Sequence, residues 1–243
     1  MKLVIGILLS HGFPVPAPFV ISYSHLQQTL LTGAGNHLLP ADRQIDSARV
    51  LFGQDFPVDH ARNRLCQLFL DESDGDALLF LDADMTHPPD MPHRLVAHGK
   101  DVVTARYVMR KPPFFTVAMR KVGDGAEDYQ AVEKLLPLHR VRGLLPIDAG
   151  GAGALLISRK ALEAIRARVG DDWFRYQDGP AGLRSRSEDM WFYEQARAAG
   201  FQPYLDADLR CGHIAQMVVD DRNHEPYHEQ YMRAATDVDG IPV

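Results

Sequence analysis

Apolar and polar positions alternate in short blocks through the first 110 residues. Leu3–Leu9 is an unbroken apolar run of strand length, and Phe19–Leu31 carries helical spacing. "ARVLFG" (Ala48–Gly53) predicts a second strand, and "VDHARNRLCQLFLDE" a helix with Ala61, Leu65, Leu68 and Phe69 near one face. "ESDGD" is a turn, Ala77–Leu81 a third strand, Pro88–His98 a helix with proline in its first turn, and Asp101–Val108 a fourth strand. Strand and helix in this rhythm predict a mostly parallel sheet covered on both faces.

The rhythm changes after residue 110. "KPPFFTVAMRK" predicts an antiparallel or edge strand with prolines at its start, "VGDGAED" a loop, and Tyr129–Leu136 a short helix. "IDAGGAGALLIS" returns to an apolar strand, and "RKALEAIRARVG" is a helix closed by Gly170. Asp172–Ser187 has no clear period and is expected to be a long loop. "EDMWFYEQARAAG" is a helix ending at Gly200, "QPYLDADLRCGHI" holds a late strand, and the polar residues 216–243 are expected to form a mobile tail. No repeat, low-complexity tract or linker interrupts the chain, so residues 1–243 are expected to form one domain, an α/β sandwich with a small antiparallel extension.

Composition narrows the function classes. The chain has 243 residues, 46% of them hydrophobic, enough for a substantial core. Its formal charge is −6, from 32 acidic and 26 basic residues, which argues against coating nucleic acid generally. Cys66 and Cys211 have no neighbours at metal-ligand spacing, so a reduced, cytoplasmic protein is expected. The amino-terminal apolar run is better explained by a buried strand than by a secretory signal. No stretch approaches the roughly 20 apolar residues needed to cross a bilayer.

The chemistry concentrates at "ALLFLDADMTHPPD" (77–90), where a buried strand delivers Asp82 and Asp84 to its carboxyl end. Carboxyl ends of parallel strands open into the ligand crevice, and in an extended segment residues two apart project to the same side. Two close carboxylates repel unless a positive charge accompanies them, and oxygen ligands suit a hard cation, Mn2+ or Mg2+, that also grips phosphate. The competing reading is that aspartates simply end the strand as turn formers. "DADMT" also fits the D-x-D-x-T pattern of haloacid-dehalogenase-type phosphatases. That family places the motif on its first strand, however, whereas two βα units come first here.

Together with "SEDMWFYEQARAAGFQPYLDADLRCGHI", two acids opening a helix before a strand and His213, the chain over residues 1–215 resembles the GT-A class of nucleotide-sugar glycosyltransferases. The resemblance implies a GT-A-like α/β/α sandwich with a Rossmann-like nucleotide-binding half (1–110) and an acceptor or catalytic half (111–215). It implies that Asp84 and His213 hold a divalent metal with Asp82 beside them. It makes Asp189 the base that deprotonates the acceptor, with Glu188 as runner-up, in an inverting transfer. A uridine diphosphate sugar is the favoured donor. The acceptor hydroxyl, whether on a glycan, a protein, a small molecule or a modified nucleic-acid base, stays open.

Other positions have two readings each. Glu188 also suits a capping box with Ser185 and the helix dipole, which leaves Asp189 free. Gly151 and Gly153 either allow a donor sugar to approach or serve tight packing. Ser10 and His11 follow the first strand, where the nucleotide base should lie. Asp59 and Arg62 open the second helix and either face the base, hold the pocket together, or lie in solvent. Overall acidity argues mildly against a polyanionic acceptor, although "MRKPP" (109–113) and "MRK" (119–121) are small basic spots. A phosphatase or nucleotidyltransferase using the same aspartates, and a silent nucleotide-sugar-binding module, remain the alternatives.

Overall fold

Period-two alternation divides each central strand between two cores. The computed structural model describes residues 1–9, 14–54, 57–123, 129–136, 140–178 and 184–215. In order these form β1 (Lys2–Leu8), α1 (Ala17–Thr32), β2 (Ser47–Gly53), α2 (Val58–Glu72), β3 (Ala77–Asp82), β4 (Met85–Thr86), α3 (Met91–Ala97) and β5 (Val102–Arg106). Then follow β6 (Met119–Lys121), β7 (Tyr129–Ala131), α4 (Val132–Leu135), β8 (Leu144–Pro146), β9 (Ala154–Ser158) and α5 (Arg159–Val169). The last elements are β10 (Gln177–Asp178), β11 (Arg184–Arg186), α6 (Glu188–Ala198), β12 (Tyr204–Arg210) and β13 (Gly212–His213).

Val4, Leu78 and Phe80 face one way and pack with Leu65 and Phe69 of α2, Leu162 and Ile165 of α5, and Phe192 of α6. Their neighbours Leu3, Ile5, Leu79 and Leu81 face the other way, against Phe19 and Leu26 of α1 and Met91 and Leu95 of α3. The result is the expected α/β/α sandwich, with helices on both faces of a seven-stranded sheet ordered β2-β1-β3-β9-β5-β12-β8. Strands β2, β1, β3, β5 and β12 run one way, while β9 and β8 oppose them. Three two-stranded antiparallel pairs supplement the sheet. No described helix is long and apolar enough to cross a membrane.

Several boundaries differ from expectation for local reasons. Helix α3 starts at Met91 rather than Pro88: Pro89 disfavours the helical region for Pro88 before it, and Pro92 takes the first-turn place instead. Regular pairing in β5 stops at Arg106, and Val108 makes only an isolated bridge to Thr116. Residues 129–131 form a strand paired with β6, so the expected helix shrinks to α4. The segment expected to be a long loop contains the β10–β11 pair, and its Trp173 and Phe174 are buried in the core. Strand β8 was not expected: three residues on the sheet edge carry too little pattern to see.

Candidate active site

The carboxyl ends of β1 and β3 open into a cavity of about 540 Å³, lined by Leu8, Arg62, Asp82, Asp84, Tyr107, Gly151, Asp189 and His213 among others. The sheet therefore gathers residues from sequence positions 8 to 213 at one place, the strand-end crevice expected of an open α/β sheet.

Asp82 and Asp84 do not stand side by side on an extended strand. The strand ends at Asp82 and residues 83–84 form a turn, which gives each carboxylate its own cation. Asp82 Oδ2 accepts from Arg62 Nη2 at 3.1 Å. Its Oδ1 is buried without a hydrogen-bond partner among the described residues. Asp84 Oδ2 lies 3.0 Å from Arg110 Nη2 and 3.7 Å from His213 Nε2. Burial disfavours ionisation of Asp84, but His213 and Arg110 outweigh it and hold the carboxyl below its ordinary range.

His213 reaches this spot through β13, which pairs with β4 in the register His213↔Met85, while the Ile214 amide donates to the Asp84 carbonyl at 2.8 Å. The ring Nδ1 lies 2.9 Å from the Val108 carbonyl and donates to it, which turns Nε2 towards Asp84. Tyr107 packs edge-on against the ring at 5.6 Å between centroids. Burial pushes the imidazole pKa down, but the Asp84 and Val108 contacts raise it above its usual value. A carboxylate oxygen and an imidazole nitrogen thus converge, types of donor a hard divalent cation accepts, while among the described residues no group of three or more His, Cys, Asp or Glu side chains is placed to hold a metal ion.

Arg62 joins the two halves of the site. Its side chain is 3% exposed and rises from the second turn of α2. Besides Asp82 it faces Asp189 Oδ1 at 3.7 Å and Glu188 Oε1 at 3.9 Å, and Nη1 donates to the Ala152 carbonyl at 3.4 Å. The guanidinium also stands 5.6 Å from the Phe80 and Phe174 ring centres. Burial opposes its charge, yet the three surrounding carboxylates raise its pKa. One cation among three acids leaves a surplus of negative charge in a largely buried place. Asp189 absorbs the surplus: burial, then Glu188 and Asp82, push its pKa up to about 8 against the opposing pull of Arg62 and of the Ala152 amide.

The capping box foreseen at Ser185–Glu188 does not form. Ser187 is the cap of α6, its hydroxyl accepting from the Met190 amide at 3.3 Å, so Glu188 and Asp189 are the first two helical residues. That phase points both carboxylates at Arg62.

The small-residue segment before β9 is packed rather than open. A Cβ on Gly151 would meet the Tyr107 hydroxyl at 1.8 Å, and one on Gly153 would meet Met85 Sδ at 2.4 Å and Asp82 Oδ2 at 2.9 Å. The Gly153 amide donates to that Tyr107 oxygen at 3.1 Å, and Tyr193 Oη donates to the Gly151 carbonyl at 3.1 Å. Gly151→Ala should therefore displace Tyr107 and cost about 1–3 kcal/mol, measured as a lowered urea midpoint with unchanged m-value.

Of the residues singled out in the sequence, Arg62, Asp82, Asp84, Gly151, Glu188, Asp189 and His213 all line the one cavity. Gly153 backs it through Asp82. Asp59 lies a turn before Arg62 in α2 and is not among the lining residues. Arg62 is buried, so it is not a solvated surface arginine; it lines the cavity and faces Asp82, Glu188 and Asp189. Ser10 and His11 lie outside the described residues, as does the tail from 216 onward. Arg110 and Tyr107 are site residues that the pattern did not single out; Arg110 stood only as part of a basic spot.

No protein-family model matches the sequence. No curated protein matches it either. Two solved structures align with most of the chain at low scores. The crystal structure of A197 from STIV shares 16% identity over 90% of this chain and 97% of its own, at a TM-score of 0.46. GalNAc-T7, crystallised with UDP, GalNAc and Mn2+, shares 13% identity over 89% of this chain and 43% of its own, at a TM-score of 0.48. Both are too distant to bear on chemistry.

Proposed function

We propose that this chain is a divalent-metal-dependent glycosyltransferase of the GT-A class, moving a sugar from a nucleotide-diphosphate donor, UDP favoured, to an acceptor hydroxyl. One observation carries the reading. Asp84 and His213, 129 residues apart in sequence, converge to 3.7 Å in the lining of the cavity that also holds the partly buried carboxyl of Asp189.

Asp84 and His213 would hold Mn2+ or Mg2+, with Asp82 nearby, and such a cation would neutralise charge building on a departing diphosphate. The chain's own residues account for the rest. Arg62 fixes the Asp82 side chain and keeps Asp189 close enough to share its charge. Val108 and Tyr107 hold the His213 ring in one orientation. Asp189 takes the proton from the acceptor hydroxyl, as a carboxyl with a pKa near the working pH does efficiently. With the donor on the Asp84 side and the base at the start of α6, displacement proceeds with inversion. In this reading residues 1–110 form the nucleotide half and residues 111–215 the acceptor half of one domain.

A thermal-shift screen of nucleotide sugars with and without manganese tests the proposal. A UDP-sugar together with manganese should raise Tm by several degrees, while either alone raises it less. Equal shifts with and without the metal would overturn the metal-dependent reading. Release of inorganic phosphate from simple phosphoesters, with nucleotide sugars left intact, would point to a phosphatase instead.

A further inference from the structure

Tyr107 forms a wall of two cavities. Behind the donor cavity lies a second space of about 640 Å³, lined by Arg106, Tyr107, Val108, Arg142, Arg210 and Cys211. Its three arginines arrive there by a device of the backbone. Strands β5 and β12 pair in regular register up to Asp206↔Ala105, so the next step would set Ala207 against Arg106. Instead the register shifts between Asp206 and Arg210, and Arg210 stands opposite Arg106. The excursion is tied down: Asp206 Oδ1 accepts from the amides of Asp208 at 3.1 Å and Leu209 at 2.9 Å, and the Ala207 amide donates to the Gly143 carbonyl at 2.8 Å.

Like charges directly opposite on neighbouring strands are unfavourable, and bulges commonly serve to re-aim a side chain. Here the irregularity creates the repulsion instead of relieving it. Glu133 answers only one of the three guanidinium groups, that of Arg106 at 3.2 Å. Arg142 and Arg210 are exposed, and neither makes an ion pair or side-chain hydrogen bond among the described residues. The acids of β12 are engaged elsewhere. Asp206 faces Arg94 and His98, and Asp208 accepts from the Gly143 amide. Surplus positive charge around a concave space with a partly apolar floor is a seat for an anion, and planar guanidinium forks match phosphate oxygens in pairs.

We infer that this cavity binds the phosphate group of the acceptor, which is a small phosphomonoester whose hydroxyl reaches the donor cavity past Tyr107. The inference rests on the transferase reading for the word acceptor, and on the arginines alone for the anion. A dianion answers the two unpaired guanidinium groups. A long polyanion is disfavoured by the chain's formal charge of −6.

Calorimetric titration of the full chain with phenyl phosphate provides the test, alongside Arg142→Ala/Arg210→Ala, whose altered side chains are exposed. Wild type should bind phenyl phosphate, and the double variant should bind at least tenfold more weakly. Acceptor-free hydrolysis of the nucleotide sugar should stay within twofold in the variant. Equal binding by both proteins would overturn the anion site. So would displacement of phenyl phosphate by UDP with manganese, which would put the phosphate in the donor cavity. An arginine-dependent preference for a single-stranded oligonucleotide over phenyl phosphate would overturn the small-molecule assignment. Failure of the transferase reading has a separate signature, the absence of nucleotide-sugar hydrolysis in wild type.

Discussion

Asp189→Asn should reduce transfer by roughly 10²- to 10⁴-fold while donor-induced stabilisation persists. The amide keeps the shape and the contact with the Ala152 amide but accepts no proton. The same substitution should make the protein more heat-stable relative to wild type as the pH rises. The wild-type carboxyl titrates near 8 in the folded chain against an ordinary value of 3.8. Between those values the folded state holds a proton that the unfolded chain has released, so wild-type stability falls with increasing pH. Asparagine removes that slope. The Tm difference, variant minus wild type, should widen from pH 5 to pH 8 and level off above about 8. A difference that stays flat over this range would show that Asp189 is ionised throughout. Wild-type turnover at saturating substrate should rise with pH up to about 8, because the base must first lose its proton.

Asp84→Ala should abolish manganese-dependent release of nucleoside diphosphate from a nucleotide sugar, by at least about 100-fold, and with it the manganese-dependent part of the thermal shift. Asp84 is one-third exposed, and its partners Arg110 and His213 also reach the cavity, so its loss leaves no sealed, unpaired charge. The apo protein should therefore melt within a few degrees of wild type. Manganese titration with a spin-relaxation readout reports the metal directly and needs no turnover. Full manganese affinity in Asp84→Ala would remove the residue from the proposed ligand set.

The parts of this molecule visible in the sequence are those written in local periodicity. β1, α2 and β3 carry runs that only a two-sided sheet or an amphipathic helix explains, and the aspartates at the end of β3 stood out against that background. Their partners were less legible. That Arg62 is buried and faces Asp82, Glu188 and Asp189 depends on α2 and α6 both packing on one face of the sheet, which spacing within either helix does not reveal. Arg210 was hidden further: its position opposite Arg106 follows from a register shift, not from any run of residues. The turn at 83–84 was masked because alternation assumes a strand that continues. The Ser187 cap lies two residues beyond Ser185, to which the Ser-x-x-Glu spacing pointed; Met190, not an acid, stands three residues after Ser187.

The pairing of β13 with β4 has a consequence for the order in which this protein becomes competent. The segment bearing Asp84 is made early, and its companion imidazole is supplied by the strand at residues 212–213 that locks onto it. A chain emerging from the ribosome can assemble the strands and helices of its first half while the proposed cation seat is still only half made. Competence to hold a donor would then come late in synthesis, after residue 213 has cleared the exit tunnel.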